Sequence, residues 1–250
     1  MTGPLMDADR LIAQLAHHGE LLARTAEASD LATPVPSCPD WTIAAALGHT
    51  AKVHSWASWI LRGGEPKAFS YQRPDQDDLL ARYRDGLAEL VDTLRQVPDN
   101  LAVHTLWPAR SARLFWARRQ AHETAIHAID VQLAADYGVA EVDLDFAADG
   151  VDELVMNMAA EQFSPGAAGS SRISITPLDA NVAWTVRITP SGVSTHRDAE
   201  DGADLSVFGL AADLYRWVWN RAGDHEVSLR GDLSLADRWH ADFRVGVRRG

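Results

Sequence analysis

Apolar positions recur at helical spacing through the first two-thirds of the chain. Leu11, Ile12, Leu15, Leu21 and Leu22 mark one side of a helix predicted over residues 7–29. Pro34, Pro36 and Pro39 interrupt the pattern, and Asp40 is the expected N-cap of a second helix running from Trp41 to about Leu61, where Gly63-Gly64 stops it. A third helix is predicted over 75–97, with Leu79, Leu80, Tyr83, Leu87, Leu90, Val91 and Leu94 on one side and Pro98 closing it. A fourth runs from about Ala112 to Tyr137, ahead of Gly138, and a fifth from about 145 to 162. Four long helices with short connections predict a four-helix bundle. Trp56, Trp59, Trp107 and Trp116 read most simply as core.

The period then changes. Gly166-Ala-Ala-Gly-Ser-Ser reads as a junction. Beyond it, Arg172–Thr176 and Val182–Ile188 alternate with period two, as half-buried strands do, with a turn over Pro177–Asn181. Leu205–Phe208 and Glu226–Arg230 read as further strands, Leu210–Asn220 and Ser234–Phe243 as helices. The expectation is an α+β protein of two domains: a helical bundle over 1–165 and a small α+β domain over 166–250.

Composition narrows the partners. The 250 residues carry 35 acidic and 23 basic side chains, a formal charge of −12. That argues against nucleic acid or an anionic membrane surface as the main partner and leaves room for a local basic pocket that takes an anionic small molecule. No apolar run reaches the roughly 20 residues that span a bilayer, and the first residues lack a signal-peptide apolar region. The one cysteine, Cys38, forms no internal disulfide. A cytoplasmic protein is expected, with Cys38 in a structural role.

The chemistry concentrates in Arg118-Arg-Gln-Ala-His-Glu-Thr-Ala-Ile-His-Ala-Ile-Asp130 of the fourth helix. Glu123 and His127 stand four apart and project from one helical face, and Asp130 lies near it. A zincin motif has His-Glu-x-x-His; here the spacing is His-Glu-x-x-x-His, so His122 and His127 diverge by roughly 140° and do not grip one metal. Glu123 and His127 are the pair that can. Catalytic zinc usually takes three protein ligands, and His₂Glu is an accepted set. The second helix offers His49 or His54 as the third, and spacing does not choose between them. Asp130 is either a hydrogen-bond partner of a ligand imidazole or a solvated charge.

Cys38-Pro-Asp-Trp-Thr-Ile-Ala-Ala-Ala-Leu-Gly-His49-Thr, followed by His122-Glu-Thr-Ala-Ile-His-Ala-Ile-Asp130, resembles the mycothiol-dependent maleylpyruvate isomerase family, within the DinB-like metal-binding four-helix bundles. Asp213-Leu-Tyr-Arg-Trp-Val-Trp-Asn-Arg221 and Val227-Ser-Leu-Arg-Gly-Asp look like that family's sterol-carrier-like second domain. The resemblance implies His49, Glu123 and His127 as ligands of zinc or another divalent metal, and mycothiol as thiol cofactor. It implies Arg221 as a catalytic arginine that pairs with a substrate carboxylate, although the family usually has Gly where this chain has Asn220.

The leading expectation is therefore a zinc-dependent enzyme that uses mycothiol for cis–trans isomerisation of an unsaturated diacid, or for a related thiol addition to an anionic or electrophilic small molecule. Three other readings compete with it: a mycothiol S-transferase, a non-catalytic metal- or ligand-binding protein, and a metal-assisted hydrolase with Asp130 as base.

Overall fold

A computed structural model describes residues 5–162 and 169–242. Helix α1 spans Ala8–Glu27, with the Asp7 carboxylate accepting from the Arg10 amide at 2.9 Å. Its stripe of Leu11, Ile12, Leu15 and Leu22 is buried. Helix α2 spans Ile43–Leu61, and its N-cap is Thr42, not Asp40. The reason lies in the proline-rich loop before it. Trp41 donates its amide to the Cys38 carbonyl, and Thr42 is held extended by a bridge to Pro34, so the helix starts only after Thr42, whose hydroxyl accepts from the Ala45 amide.

Helix α3 spans Leu79–Gln96 and α4 spans Ala112–Ala134, capped by the Ser111 hydroxyl. Helix α1 packs on α3 and α4, and α2 packs on α3 and α4. Gly19 makes one of these approaches possible, because a Cβ there would sit 2.5 Å from a methyl of Leu87 on α3. Trp116 is fully buried, but Trp59 is 41% exposed and donates to the Glu65 carbonyl over Gly64. It is therefore a surface residue, against the sequence expectation, because its indole lies along the loop that follows α2.

The chain divides into two compact units, Met1–Ala140 and Glu141–Gly250. The division falls before the fifth helix, not after it. Helix α5 (Leu144–Glu153) packs on α7 (Ala211–Val218) and so belongs with the sheet. It passes through a π-helical turn, Leu154–Met158, into the short α6, Ala159–Gln162. Residues 166–168 of the expected junction lie outside the described residues.

The second unit holds a five-stranded sheet in the order β3-β2-β1-β4-β5. Its strands are β1 Ser171–Pro177, β2 Trp184–Thr189, β3 Gly192–His196, β4 Leu205–Gly209 and β5 Ser228–Gly231. β1 and β4 pair in parallel and the other neighbours are antiparallel. Ile173, Ile175, Trp184, Val186, Ile188, Leu205 and Val207 are inaccessible to solvent. α8 (Ser234–Asp242) places Trp239 beside Trp217 of α7, rings stacked at 5.5 Å. No helix among the described residues is long and apolar enough to cross a membrane.

Candidate metal centre

Two helices of the first unit bring three potential ligands together. His49 lies on α2, and Glu123 and His127 lie one turn apart on α4. His49 Nε2 is 3.0 Å from Glu123 Oε1, and His127 Nε2 is 3.4 Å from the same oxygen. One ligand atom from each of the three lies within 4.8 Å of the others. The two imidazole rings meet at 73° with centroids 5.1 Å apart, and Trp41 covers both, stacked on His127 and tilted against His49.

The electrostatics of the cluster follow from this crowding. Burial alone would raise the Glu123 pKa, but hydrogen bonds from His127 and His49 and the nearby Arg119 charge hold it well below the usual carboxylate range. Burial alone would depress His127, but hydrogen bonds to Asp130 and Glu123 push it up to about 9. A carboxylate oxygen this close to two imidazole nitrogens needs a cation between them, either a proton or a metal ion.

A second layer orients the first. Asp130, fully buried, accepts from His127 Nδ1 at 2.9 Å. That leaves Nε2 of the ring facing Glu123, the carboxylate–histidine arrangement found behind many metal ligands. The Ser37 hydroxyl donates to the other Asp130 oxygen, and the Cys38 thiol lies 3.7 Å from Oδ2. The loop from Ser37 to Trp41 thus brings two donors to Asp130 and one aromatic ring to the histidines. Arg119, one turn before Glu123, donates to Glu123 Oε2 at 2.9 Å.

The structure gathers His49, Glu123 and His127 and leaves out the other histidines that the sequence offered. His54 Nε2 bonds to the Thr124 hydroxyl at 2.8 Å, and its Nδ1 is buried without a hydrogen-bond partner. Burial pushes its pKa down to about 3. His122 is fully buried and outside the cluster, as its five-residue spacing from His127 requires.

Sequence reasoning missed Arg119, Ser37 and the covering role of Trp41. An arginine four residues before Glu123 was a signal for the first. Nothing in the spacing signals the other two, which reach the site through a loop.

Arg221 belongs to the second unit. It is 7% exposed and follows α7, with Nη1 donating to the Trp219 carbonyl at 2.6 Å. The preceding Asn220 has φ +60, and the Asn220 and Arg221 amides donate to the Trp217 and Arg216 carbonyls. This is a left-handed helix cap, a position that favours glycine and tolerates asparagine. The departure from glycine therefore keeps the backbone. It also adds contacts that glycine lacks: Asn220 Oδ1 is 2.5 Å from His240 Nδ1.

The residues present fit a divalent cation. They form a His₂Glu donor set within bonding reach of a common centre, and an outer carboxylate fixes one imidazole.

A family model described as the mycothiol maleylpyruvate isomerase N-terminal domain matches residues 12–132, and the corresponding C-terminal domain model matches 145–238. The fold is similar to that of the crystallised mycothiol-dependent maleylpyruvate isomerase, at a TM-score of 0.59 and 15% identity over 90% of this chain and 93% of that one. A histidine-to-alanine mutant of that enzyme gives the same values. No curated protein sequence matches the chain.

Proposed function

The chain belongs to the mycothiol maleylpyruvate isomerase family, and from that premise we propose that it is a zinc-dependent enzyme using mycothiol to isomerise a cis-unsaturated diacid such as maleylpyruvate. The observation that carries the reading is the convergence of His49, Glu123 and His127 from two helices. Zinc held by these residues would favour the thiolate form of an incoming thiol, the nucleophile that reversible addition to an activated double bond requires.

The chain's own residues set up that chemistry. Asp130 fixes the His127 tautomer, and Ser37 orients Asp130. Trp41 walls one side of both imidazoles with hydrocarbon. Arg221 is assigned to a substrate carboxylate, for which a guanidinium fork is suited, and the Asn220 cap supports carrying that role over from the family.

The test is an assay of protein purified without a metal-binding tag, on maleylpyruvate and related cis diacids, with and without mycothiol. Isomerisation that needs both zinc and the thiol, with the thiol returned unchanged, is expected. Thiol retained in the product would make the protein an S-transferase, and turnover without thiol would overturn the reading. Arg221→Met is expected to lose activity with its metal content intact.

A further inference from the structure

The two oxygens of Glu123 face different partners. Oε1 faces both imidazoles, at 3.0 and 3.4 Å. Oε2 accepts from Arg119 Nη2 at 2.9 Å. A guanidinium has donors and no lone pair, so it cannot join a metal's ligand set, but it can occupy a carboxylate oxygen that would otherwise join one. We propose that Arg119 is a positioning residue that restricts Glu123 to a single metal-facing oxygen, Oε1, and so keeps a coordination position open for the incoming thiol. The inference rests on the metal reading above.

The bland alternative is an ordinary helix-surface ion pair at i,i+4, worth a few tenths of a kcal/mol. The chain supplies such a pair for comparison. Arg24 and Glu20 are 3.8 Å apart, with side chains 63% and 50% exposed. Arg119 and Glu123 differ in each respect: they are closer, only 6% and 18% exposed, and their carboxylate is shared with two imidazoles. A buried guanidinium that serves only helix stability has no reason to sit on one oxygen of a prospective metal ligand.

Two consequences follow from the chemistry. A carboxylate held at one oxygen contributes one bond, so His₂Glu fills three positions and leaves the fourth exchangeable. A carboxylate released from Arg119 can chelate through both oxygens and fill it. The guanidinium also adds a positive charge beside the centre, which favours an anionic fourth ligand such as a thiolate over a neutral one.

The experiment uses the full chain loaded with cobalt(II), whose visible absorption separates four-coordinate from five-coordinate sites. Wild-type protein is expected to give the intense four-coordinate spectrum. Arg119→Met is expected to keep one cobalt per chain, shift to the weaker five-coordinate spectrum and lose about 10–100-fold in thiol-dependent turnover. A methionine variant with the wild-type spectrum would overturn the proposal.

X-ray absorption on the wild-type metal form tests the same point without any substitution. The short metal–carbon path of a chelating carboxylate should be missing from it, and its presence would overturn the proposal even if the variant does not fold. Wild-type protein that takes up no cobalt would instead overturn the metal reading, and this inference with it.

Discussion

The two units pair a sheltered carboxylate with different partners. Asp152, in the second unit, is fully buried and accepts from Arg197 Nε and Nη2, each at 2.7 Å, and from the Trp184 indole at 2.8 Å. Guanidinium and indole nitrogens donate and have no lone pair to offer a metal. Glu123, in the first unit, also meets a guanidinium, that of Arg119, at one oxygen, but its other oxygen faces two imidazoles, which can donate a proton or coordinate a cation. Both carboxylates are paired, yet only one sits where a divalent ion can be held. The identity of the partner, more than burial or charge, separates a structural carboxylate from a chemical one.

Substitution at each carboxylate's partners should break the comparison in different observables. Glu123→Gln is expected to abolish metal retention and with it turnover, read by elemental analysis after desalting. Arg197→Met should leave metal content unchanged and destabilise the second unit by about 3–5 kcal/mol, because it strands the Asp152 charge in the interior. Denaturant unfolding checks this. If Arg197→Met lost metal while folded, the contrast between the units would fail. Asp130→Asn removes the charge behind His127 and should weaken metal affinity by about 10–100-fold without abolishing binding, as competition with a chelator would show.

A further prediction concerns pH. Burial, with His17 and His122 nearby, pushes His18 down to about 3, and burial does the same to His54. Both folded-state values lie below the unfolded value of 6.5, so between 6.5 and 3 the unfolded chain binds the extra protons. Their contribution is fully present above pH 6.5 and is lost as pH falls, at about 1.4 kcal/mol per pH unit for each residue. None of the described histidines of the second unit is buried, so acid should loosen the helical unit first. Chemical unfolding followed by far-ultraviolet circular dichroism across a pH series checks the slope. His18→Gln and His54→Gln should each flatten it.

Much of this contrast was legible in the sequence, and the illegible parts have physical reasons. The four long helices and the pairing of Glu123 with His127 follow from a period of 3.6, which both the core positions and the candidate ligands obey. His49 could not be told from His54 because both turn toward α4. Packing alone sets His49 against Glu123 and His54 against Thr124. Strand β3, Gly192–His196, escaped because it is a polar edge strand with no fully buried residue and so lacks the alternation that marks β1 and β2. The fifth helix looked like a continuation of the bundle because amphipathic periodicity shows that a face is buried and not what buries it; α7 does so. The Ser37 and Trp41 contacts depend on a loop whose turn has no periodicity to read.

The proposed metal site of His49, Glu123 and His127 carries a simple stoichiometry. Its most direct test is the zinc content of untagged protein after incubation with zinc and removal of unbound ion, measured beside His49→Ala. One zinc per wild-type chain is expected, and close to none in the variant. Wild-type protein without zinc, or a His49→Ala protein that retains a full equivalent, would contradict it.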